Sequence, residues 1–574
     1  MERRTFLKIL SSAGIVSLVS PTFAMEVCKN KVSKSSSALL ESAFRNPPFS
    51  SGVYTWWHWM NGNITKDGIT RDLEAMKANG IAGYQLFEAG SGIPIGPVES
   101  LSDEWVDLIL HTLKESERLG LEFAMHNCPG WSSSGGPWIT PDKAMQIITW
   151  SETKITGGKQ VRIQLPTPKH MFDYYIDTYC LAIPANMKVI PRLSILELSN
   201  RLDKDGVLTW DVPTGEWLIM RFGQTAKDQK NKSAPSKSTG LDCDKFSTEA
   251  LDYHLNCMFK RLMPAMEKIA QHSKIGLLID SYETGDQDWT SDMPAYFEQS
   301  HGYELYPFLP VLANKIVESE ESTKRFLFDF RRVRADMFAE RYYGHFQKRC
   351  KEKGIITYTE PYGGNMMEEL QVAQQLDINM GEFWCGQTVL WANYKYNRTV
   401  KQVASIAHTL GGKVVGAEAF TSEPDADKWL QYPYALKSLG DYMFTRGLSR
   451  IYFHRFAHQP HPTAAPGMTM GAWGLHFDRT NTWWKPGKAW IEYLNRCQYI
   501  FQSSTFYGDI LYHNGDDSFG STIEPEQTLL APPEGYDYDM VNTEMLDKAH
   551  IKDGKILFLF LYEICEENSN HQQI

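Results

Sequence analysis

Between residues 53 and 454 the sequence alternates short apolar or aromatic runs with helical stretches, and this alternation restricts the fold more than any other feature. Runs that are apolar throughout are typical of parallel strands, because helices cover both faces of a parallel sheet. Eight such runs interleaved with helices predict an α/β protein built on a (β/α)8 barrel. The predicted strands are 53–59, 81–87, 121–126, 275–279, 355–359, 378–382, 414–417 and 450–454. The clearest predicted helices are 66–79, 103–119, 322–353 and 399–410.

Two segments depart from this alternation. Residues 145–225 are rich in short β-forming runs, so we predict an inserted β-rich module between a first barrel part (45–144) and a second (226–505). Residues 224–243 are polar and flexible in composition and are predicted to form a loop over the barrel. From residue 506 to 574 the barrel pattern is replaced by short β-like pieces, which we interpret as the truncated start of a C-terminal β domain.

The N-terminus has the pattern of an export signal, which we assign to residues 1–24. Arg3 and Arg4 form a twin-arginine pair, an apolar stretch follows over 9–19, and small residues near Ala24 suit cleavage. That stretch is shorter than the roughly 20 residues that cross a bilayer. We therefore expect an exported, periplasmic protein without a membrane span.

Charge and cysteine content exclude several other classes of protein. The formal net charge is −11 and no run of basic residues occurs, which argues against a nucleic-acid partner. The nine cysteines are scattered without the paired spacing of a zinc site or of a small disulfide-stapled fold.

Glutamates are concentrated at the ends of the predicted strands. In a (β/α)8 barrel the chemistry takes place where strands end and loops begin, so these side chains are predicted to converge on one mouth. Like charges held so close must be separated by a metal ion, by protonation or by bound substrate. The five residues are Glu88, Glu283, Glu360, Glu382 and Glu418.

Aromatic, histidine and amide side chains are interleaved with these acids. Such a mixture favours a neutral, polyhydroxylated ligand, an oligo- or polysaccharide, over a phosphate, and neither a P-loop nor a G-x-G-x-x-G motif occurs. The predicted substrate-binding residues are Trp56, His58, Asn61, His126, Trp131, Tyr362, Trp384, His454, His458 and Trp473.

Hydrolysis of a glycoside requires two carboxyl groups, one that protonates the leaving oxygen and one that activates water or attacks the sugar. Glu283 and Glu418 follow strands four and seven and form the natural pair across the mouth. Apolar and aromatic neighbours are expected to desolvate Glu283 and raise its pKa, which suits a general acid. Glu418 is then the general base.

Several of these motifs resemble the α-L-rhamnosidases of glycoside hydrolase family 106, and the likeness runs from about residue 45 to about residue 545. The matching stretches are WWHWMNG (56–62), NCPGWSSSGGPW (127–138), DSYE (280–283), GAEAF (416–420) and PGMTMGAWG (466–474). The resemblance implies a barrel with appended β domains, inversion of the anomeric centre, and a calcium ion on the rhamnose hydroxyls. It also implies that Glu283 is the acid, Glu418 the base and Glu382 a metal-site carboxylate.

Calcium prefers six to eight oxygen ligands, so Glu360 is a candidate second ligand beside Glu382. The alternative is that both carboxylates bind sugar hydroxyls directly, without metal. We thus expect an inverting α-L-rhamnosidase acting on pectin-like plant polysaccharide.

Two other functions remain open. A retaining glycosidase with a Glu nucleophile would require the two carboxyls about 5–5.5 Å apart instead of about 6.5–9.5 Å. Tyr282 stands before Glu283 where the retaining barrel enzymes usually have Asn, which counts against this reading. The sequence leaves the family pattern after about Leu557, and this truncation also allows an inactive carbohydrate-binding remnant.

Overall fold

The computed structural model describes residues 34–90, 92–131, 134–385, 390–423, 429–471, 473–516, 522, 525, 530–552 and 555–558. Eight parallel strands form the barrel: β1 (Tyr54–Met60), β2 (Gly83–Ala89), β3 (Glu122–His126), β11 (Ile275–Ile279), β13 (Ile356–Thr359), β14 (Ile378–Cys385), β15 (Gly416–Ser422) and β16 (Arg450–Ala457). They close in the order β1-β16-β15-β14-β13-β11-β3-β2. The predicted (β/α)8 barrel is confirmed, and each strand overlaps its predicted range.

Helices surround the barrel and return the chain from one strand to the next. They are α1 (Lys34–Arg45), α2 (Lys66–Asn79), α3 (Asp103–Leu119), α4 (Thr248–Phe259), α5 (Met263–Ala270), α6 (Met293–His301), α7 (Leu309–Leu312), α8 (Glu320–Met337), α9 (His345–Lys351), α10 (Glu369–Ala373), α11 (Leu390–Leu410), α12 (Pro433–Thr445) and α13 (Lys488–Ser503). The helix predicted over 322–353 is continuous but contains a π-helical stretch at Phe338–Gly344. The helix predicted over 399–410 begins earlier, at Leu390.

Local sequence explains where the first two helices begin and end. The hydroxyl of Thr65 accepts a hydrogen bond from the amide of Gly68, and Ser102 caps α3 in the same way at Trp105. Gly80 and Gly120 end these helices with φ of +85° and +64°, a conformation that favours glycine. Each helix therefore stops directly before the next strand.

Both faces of the barrel strands are buried, but against different neighbours. Alternate residues point into the barrel, where Tyr54, Tyr358 and Tyr452 pack together at its lower end. The residues between them, such as Trp57 and Trp59, point outward into the main core under the helices. The interior of the barrel is thus filled by packed aromatic rings at its lower end.

A separate antiparallel sheet is inserted between β3 and β11. It is formed by β4 (Gln146–Thr156), β10 (Glu216–Ala226), β6 (Ile176–Pro184) and β8 (Leu196–Glu197), with β5 (Lys159–Gln164) and β9 (Val207–Val212) paired beside it. These strands enclose a small core of their own around Trp210. The two-residue strand β7 (Val189–Ile190) pairs with β12 (Ile316–Val317) near α8.

Short elements follow the barrel. β17 (Ile510–His513) pairs with β18 (Tyr538–Val541), α14 spans Thr543–Asp547, and β19 (Ala549–Lys552) pairs with β20 (Lys555–Phe558). No helix among the described residues is long and apolar enough to cross a membrane. The predicted signal at 1–24 and the tail from 559 lie outside the described residues.

Candidate active site

Three carboxylates lie inside the barrel at the ends of neighbouring strands. Glu382 on β14 and Glu418 on β15 are register partners, and Glu360 directly follows β13. All three side chains are almost fully buried. The fourth acid, Glu283, follows β11, and its charge raises the pKa of both Glu382 and Glu418. The four glutamates therefore belong to one electrostatic cluster.

The phenol of Tyr362 joins two of these carboxyls. Its hydroxyl oxygen lies 2.6 Å from Oε2 of Glu360 and 3.0 Å from Oε2 of Glu382. A hydroxyl carries one proton, so one of the two contacts must use a proton held by a carboxyl group. Burial, the largest cause, raises the pKa of Glu360 well above its ordinary value and that of Glu382 to about 8. The contacts of Tyr362 and the raised pKa values both favour the neutral form of one of these two acids.

Glu418 is more enclosed than Glu283, the other predicted catalytic acid. Thr421 donates a hydrogen bond to its Oε1, and Nδ1 of His454 lies 3.8 Å from the same atom. Burial, followed by the charge of Glu382, raises the pKa of Glu418 well above its ordinary value. This carboxyl therefore favours the protonated form in the absence of a cation.

Glu283 has a different environment from the one predicted. Its side chain is 43% exposed, accepts a hydrogen bond of 3.1 Å from Nε1 of Trp131, and forms an ion pair with Lys232. The expectation of an apolar, desolvated Glu283 was wrong. Lys232 was also missed as a site residue. It belongs to the loop after β10, which is tied to the barrel mouth where the amide of Trp131 donates to the carbonyl of Lys232.

A wall of aromatic and imidazole rings stands beside the acids. Trp56 contacts the rings of Phe87, His126 and His454 with centroid distances of 5.7, 5.2 and 5.7 Å. Burial lowers the pKa of His58 and of His454 well below the ordinary value, so both rings are neutral. Nε1 of Trp56 and both ring nitrogens of His58 are buried and have no hydrogen-bond partner among the described residues. Buried polar atoms of this kind are suited to binding ligand hydroxyls.

Asp280 is a further acid of the site that sequence reasoning did not assign. Its Oδ2 lies 2.9 Å from Nε2 of His126, and its charge raises the pKa of Glu360, Glu382 and Glu418. The signal was present in the sequence, because Asp280 directly follows the apolar strand 275–279. Asp280 fixes the orientation of His126 and adds to the negative potential of the mouth.

Two tryptophans extend the site outward. The indole N–H of Trp384 donates to Oε1 of Glu382, and its ring meets that of Trp473 edge-on at 6.1 Å. Trp473 is exposed, while its carbonyl accepts a hydrogen bond of 2.7 Å from Arg455. Trp384 and Trp473 therefore connect the buried acids with the surface of the mouth.

Three predicted residues have other environments. His458 points away from the mouth, where its Nδ1 lies 2.8 Å from Asp72, so the prediction that it binds substrate is wrong. Glu88 also points outward, to Ser100 and to Nε1 of Trp105 on α3, and does not join the acidic cluster. The side-chain amide of Asn61 donates to the carbonyl of Ile93 at 2.6 Å and holds the loop after β2.

The surroundings of Glu360 and Glu382 show whether these two carboxyls suit a calcium ion. Oε1 of Glu360 is buried without a hydrogen-bond partner among the described residues, and carboxylate oxygens are the donors that calcium prefers. In the described part of the chain no group of three or more His, Cys, Asp or Glu side chains is arranged to hold a metal ion. The residues present thus fit a cation only if water and sugar hydroxyls complete its coordination.

Comparison with known proteins identifies the family. The sequence profile of glycoside hydrolase family 106, described as alpha-L-rhamnosidase, matches residues 45–178 and 168–560. The chain belongs to this family. The resemblance seen in the motifs is therefore confirmed.

Two individual proteins are similar to this family 106 chain. A protein of Formosa agariphila, provisionally named beta-glucuronidase, is 40% identical in an alignment 549 positions long, which covers 90% of this chain but 46% of that protein. The chain thus spans less than half the length of this relative. The structure of a rhamnosidase from Novosphingobium sp. PP1Y matches with a TM-score of 0.81 at 23% identity, over 90% of this chain and 66% of that one. This second likeness concerns the fold.

Proposed function

We propose that this family 106 chain is a glycoside hydrolase, an inverting α-L-rhamnosidase that releases L-rhamnose from pectin-like plant polysaccharide. The observation that carries the proposal is the pairing of two acids of different exposure, Glu283 and Glu418, in one electrostatic cluster. The neutral rings of Trp56, His58 and His454 beside them suit an uncharged sugar, and membership of the family supports rhamnose.

In this mechanism Glu283 gives a proton to the glycosidic oxygen, and the bond between that oxygen and the anomeric carbon breaks. Glu418 takes a proton from a water molecule, whose oxygen forms the new bond to the opposite face of the anomeric carbon. The exposed position of Glu283 suits contact with a leaving group that departs into solvent. The hydroxyl of Thr421 holds the enclosed carboxyl of Glu418 by a hydrogen bond, and Nδ1 of His454 lies 3.8 Å from the same oxygen.

Two observations favour the reverse assignment, with Glu418 as the acid. Burial raises the pKa of Glu418, and Lys232 pairs with Glu283. Leaving-group chemistry distinguishes the two assignments, since an activated aryl leaving group needs little protonation. We expect Glu283→Gln to keep most activity on 2,4-dinitrophenyl α-L-rhamnoside and to lose about 10²–10⁴-fold on an unactivated disaccharide. Glu418→Gln should lose activity on both, and the opposite pattern would exchange the roles.

We also propose that calcium binds between Glu382 and Glu360, with water and vicinal rhamnose hydroxyls as the other ligands. A bound cation would offset the mutual repulsion of the buried carboxyls. The unpartnered Oε1 of Glu360 supports this placement. Direct hydrogen bonding of both acids to the sugar is the alternative without metal.

The name of the relative from Formosa agariphila makes a β-glucuronide the second candidate substrate. The purified chain should be incubated with 4-nitrophenyl α-L-rhamnoside and with 4-nitrophenyl β-glucuronide, and the first-formed anomer followed by NMR. We expect release of β-L-rhamnose first, from the α-linked substrate only. First-formed α-L-rhamnose would indicate retention, and cleavage of the glucuronide alone would overturn the proposed substrate. No hydrolysis of either would support a carbohydrate-binding protein.

We further propose that residues 1–24 direct export to the periplasm. The twin-arginine pair Arg3-Arg4 supports this. Replacing both arginines by lysines should keep the protein in the cytoplasmic fraction and leave its N-terminus uncleaved.

A further inference from the structure

Three exposed aromatic residues lie around the start of α12, with Trp429 and Tyr432 before the helix and Tyr434 in its first turn. Tyr434 is 82% exposed, and Trp429 and Tyr432 are each about half exposed. The start of α12 follows β15, the strand of Glu418, so topology puts it at the same end of the barrel as the acids. Large aromatic side chains exposed together often mark a binding surface. We call these three residues the rim patch.

The rings of the rim patch are arranged as stacked surfaces. Tyr432 and Tyr434 have centroids 6.5 Å apart and planes inclined by only 21°. Trp429 lies against the imidazole of His476, with an interplanar angle of 10° and a centroid distance of 3.3 Å. A ring that is supported on one face and still half exposed offers a flat, oriented surface to a ligand.

Contacts connect the rim patch with the proposed catalytic base. Nδ1 of His476, under Trp429, lies 3.2 Å from the hydroxyl of Thr469. That hydroxyl accepts a hydrogen bond of 3.3 Å from Arg455. Arg455 is the direct neighbour of His454, whose Nδ1 is 3.8 Å from Glu418. Trp429, one member of the rim patch, is therefore linked to the wall of the site through His476, Thr469 and Arg455.

We propose that the rim patch binds sugar units of the substrate that lie beyond the cleaved rhamnose. This inference rests on the proposed function, since it needs an oligosaccharide in the mouth. The C–H face of a pyranose is apolar while its hydroxyls remain hydrated, so it packs on an exposed aromatic ring without desolvating polar groups. Tyrosine and tryptophan suit such half-wet surfaces because each ring also carries a polar group at its edge.

The chain provides a matched control for this test. Tyr442 is a tyrosine of the same helix, α12, and is 46% exposed. It lies eight residues, or about 12 Å, further along the helix axis, towards the end that faces away from the mouth. Tyr434→Ala and Tyr442→Ala therefore remove the same side chain from the two ends of one helix.

The experiment compares kcat/KM for a rhamnose-terminated disaccharide with that for a hexasaccharide of the same series, with 4-nitrophenyl α-L-rhamnoside as a third substrate. We expect the wild-type protein to prefer the hexasaccharide by about tenfold or more, and Tyr434→Ala to remove about two- to tenfold of that preference. Trp429→Ala should act in the same direction. Tyr434→Phe and Tyr442→Ala should keep the preference, and all variants should cleave the aryl rhamnoside at the wild-type rate.

Activity on the aryl rhamnoside distinguishes a rim patch that does not bind sugar from a protein that does not cleave rhamnosides. If the wild-type protein cleaves the aryl rhamnoside but shows no preference for the hexasaccharide, the rim patch does not bind sugar units. An equal effect of Tyr434→Ala and Tyr442→Ala would overturn it as well. No cleavage of any of the three rhamnosides would instead refute the proposed function, and this inference with it.

Discussion

At the residue scale, two histidines near the end of β16 lie on opposite sides of the barrel wall. His454 faces Glu418, whereas His458 lies against Asp72 on α2. We expect His454→Ala to lower kcat/KM at least tenfold on an aryl rhamnoside, because it removes a wall of the site. His458→Ala should instead cost about 1–3 kcal/mol of stability, since it leaves the buried Asp72 with one partner fewer.

Thermal melting and kinetics well below the melting temperature separate these effects. A His458→Ala variant that melts like the wild type but has lost its activity would contradict this prediction, and would return His458 to the site.

Glu88 gives the barrel a pH dependence that is independent of the active site. Burial raises its pKa from 4.5 to about 7, against hydrogen bonds from Trp105 and Ser100 that lower it. Between those pH values the folded protein holds a proton that the unfolded chain has released. The contribution of Glu88 to stability is therefore greatest below pH 4.5 and falls by roughly 3 kcal/mol as the pH rises to about 7.

In Glu88→Gln that contribution is absent. The melting temperature of the variant, relative to the wild type, should therefore increase between pH 5 and pH 8. A difference that stays constant over this range would show that Glu88 is not protonated on folding.

At the scale of elements, the loop after β10 is anchored by a buried ion pair. Lys245 contacts Asp242 and the hydroxyl of Ser134, and both charged side chains have zero exposure. The amide of Asp242 donates to the carbonyl of Gln229 at 2.8 Å, within the loop that carries Lys232 to Glu283. Lys245→Met should lower stability by about 3–5 kcal/mol, because it leaves an unpaired charge in the interior.

Adding Asp242→Asn to Lys245→Met should restore part of this loss, since both charges are then removed. Urea unfolding of the two single variants and the double variant measures the coupling. If the two single effects simply add in the double variant, the pair is not an anchor.

The sequence predicted the strands better than the direction of their side chains. Apolar runs and glycine-ended helices located all eight barrel strands, because these signals are local. Successive residues of a strand point alternately into the barrel and outward to the helices. Both sides of these strands are mostly apolar, so the sequence does not show whether Glu88 or His458 faces the mouth. Trp56 and Trp57, one inside and one outside, are indistinguishable by hydrophobicity.

Loops that come from distant parts of the chain were equally hard to predict. Lys232 contacts Glu283 although helices α4 and α5 and strand β11 separate the two residues in the sequence, and no local pattern encodes that contact. Asp280 differs, because it directly follows an apolar strand and could have been assigned to the site from the sequence alone.

At the scale of the whole molecule, the candidate site lies entirely within the family match. Every acid and ring assigned to it falls between residues 56 and 473, inside the matched region 45–560. The barrel alone supplies the buried acids, and the loop after β10 adds Lys232. The activity proposed here can therefore be tested on this chain, although it spans 46% of its relative from Formosa agariphila.

The proposed calcium ion is expected to stabilise the whole molecule, because a ligand that binds only the folded state stabilises it. At a calcium concentration 100 times the Kd the gain is about 2.7 kcal/mol. We expect calcium to raise the melting temperature of the chelator-treated protein and to give binding heat in calorimetry, in the absence of sugar. Magnesium should do so less, since it retains its own water shell.

Two matched variants decide whether the acidic cluster is responsible for this effect. Glu382→Gln should abolish both signals, whereas Glu88→Gln, which alters a buried glutamate outside the cluster, should keep them. Equal calcium responses in the two variants would mean that the ion binds elsewhere. No response in the wild-type protein would favour direct hydrogen bonding of Glu360 and Glu382 to the sugar, because the two acids would then be held apart by a carboxyl proton and Tyr362 alone.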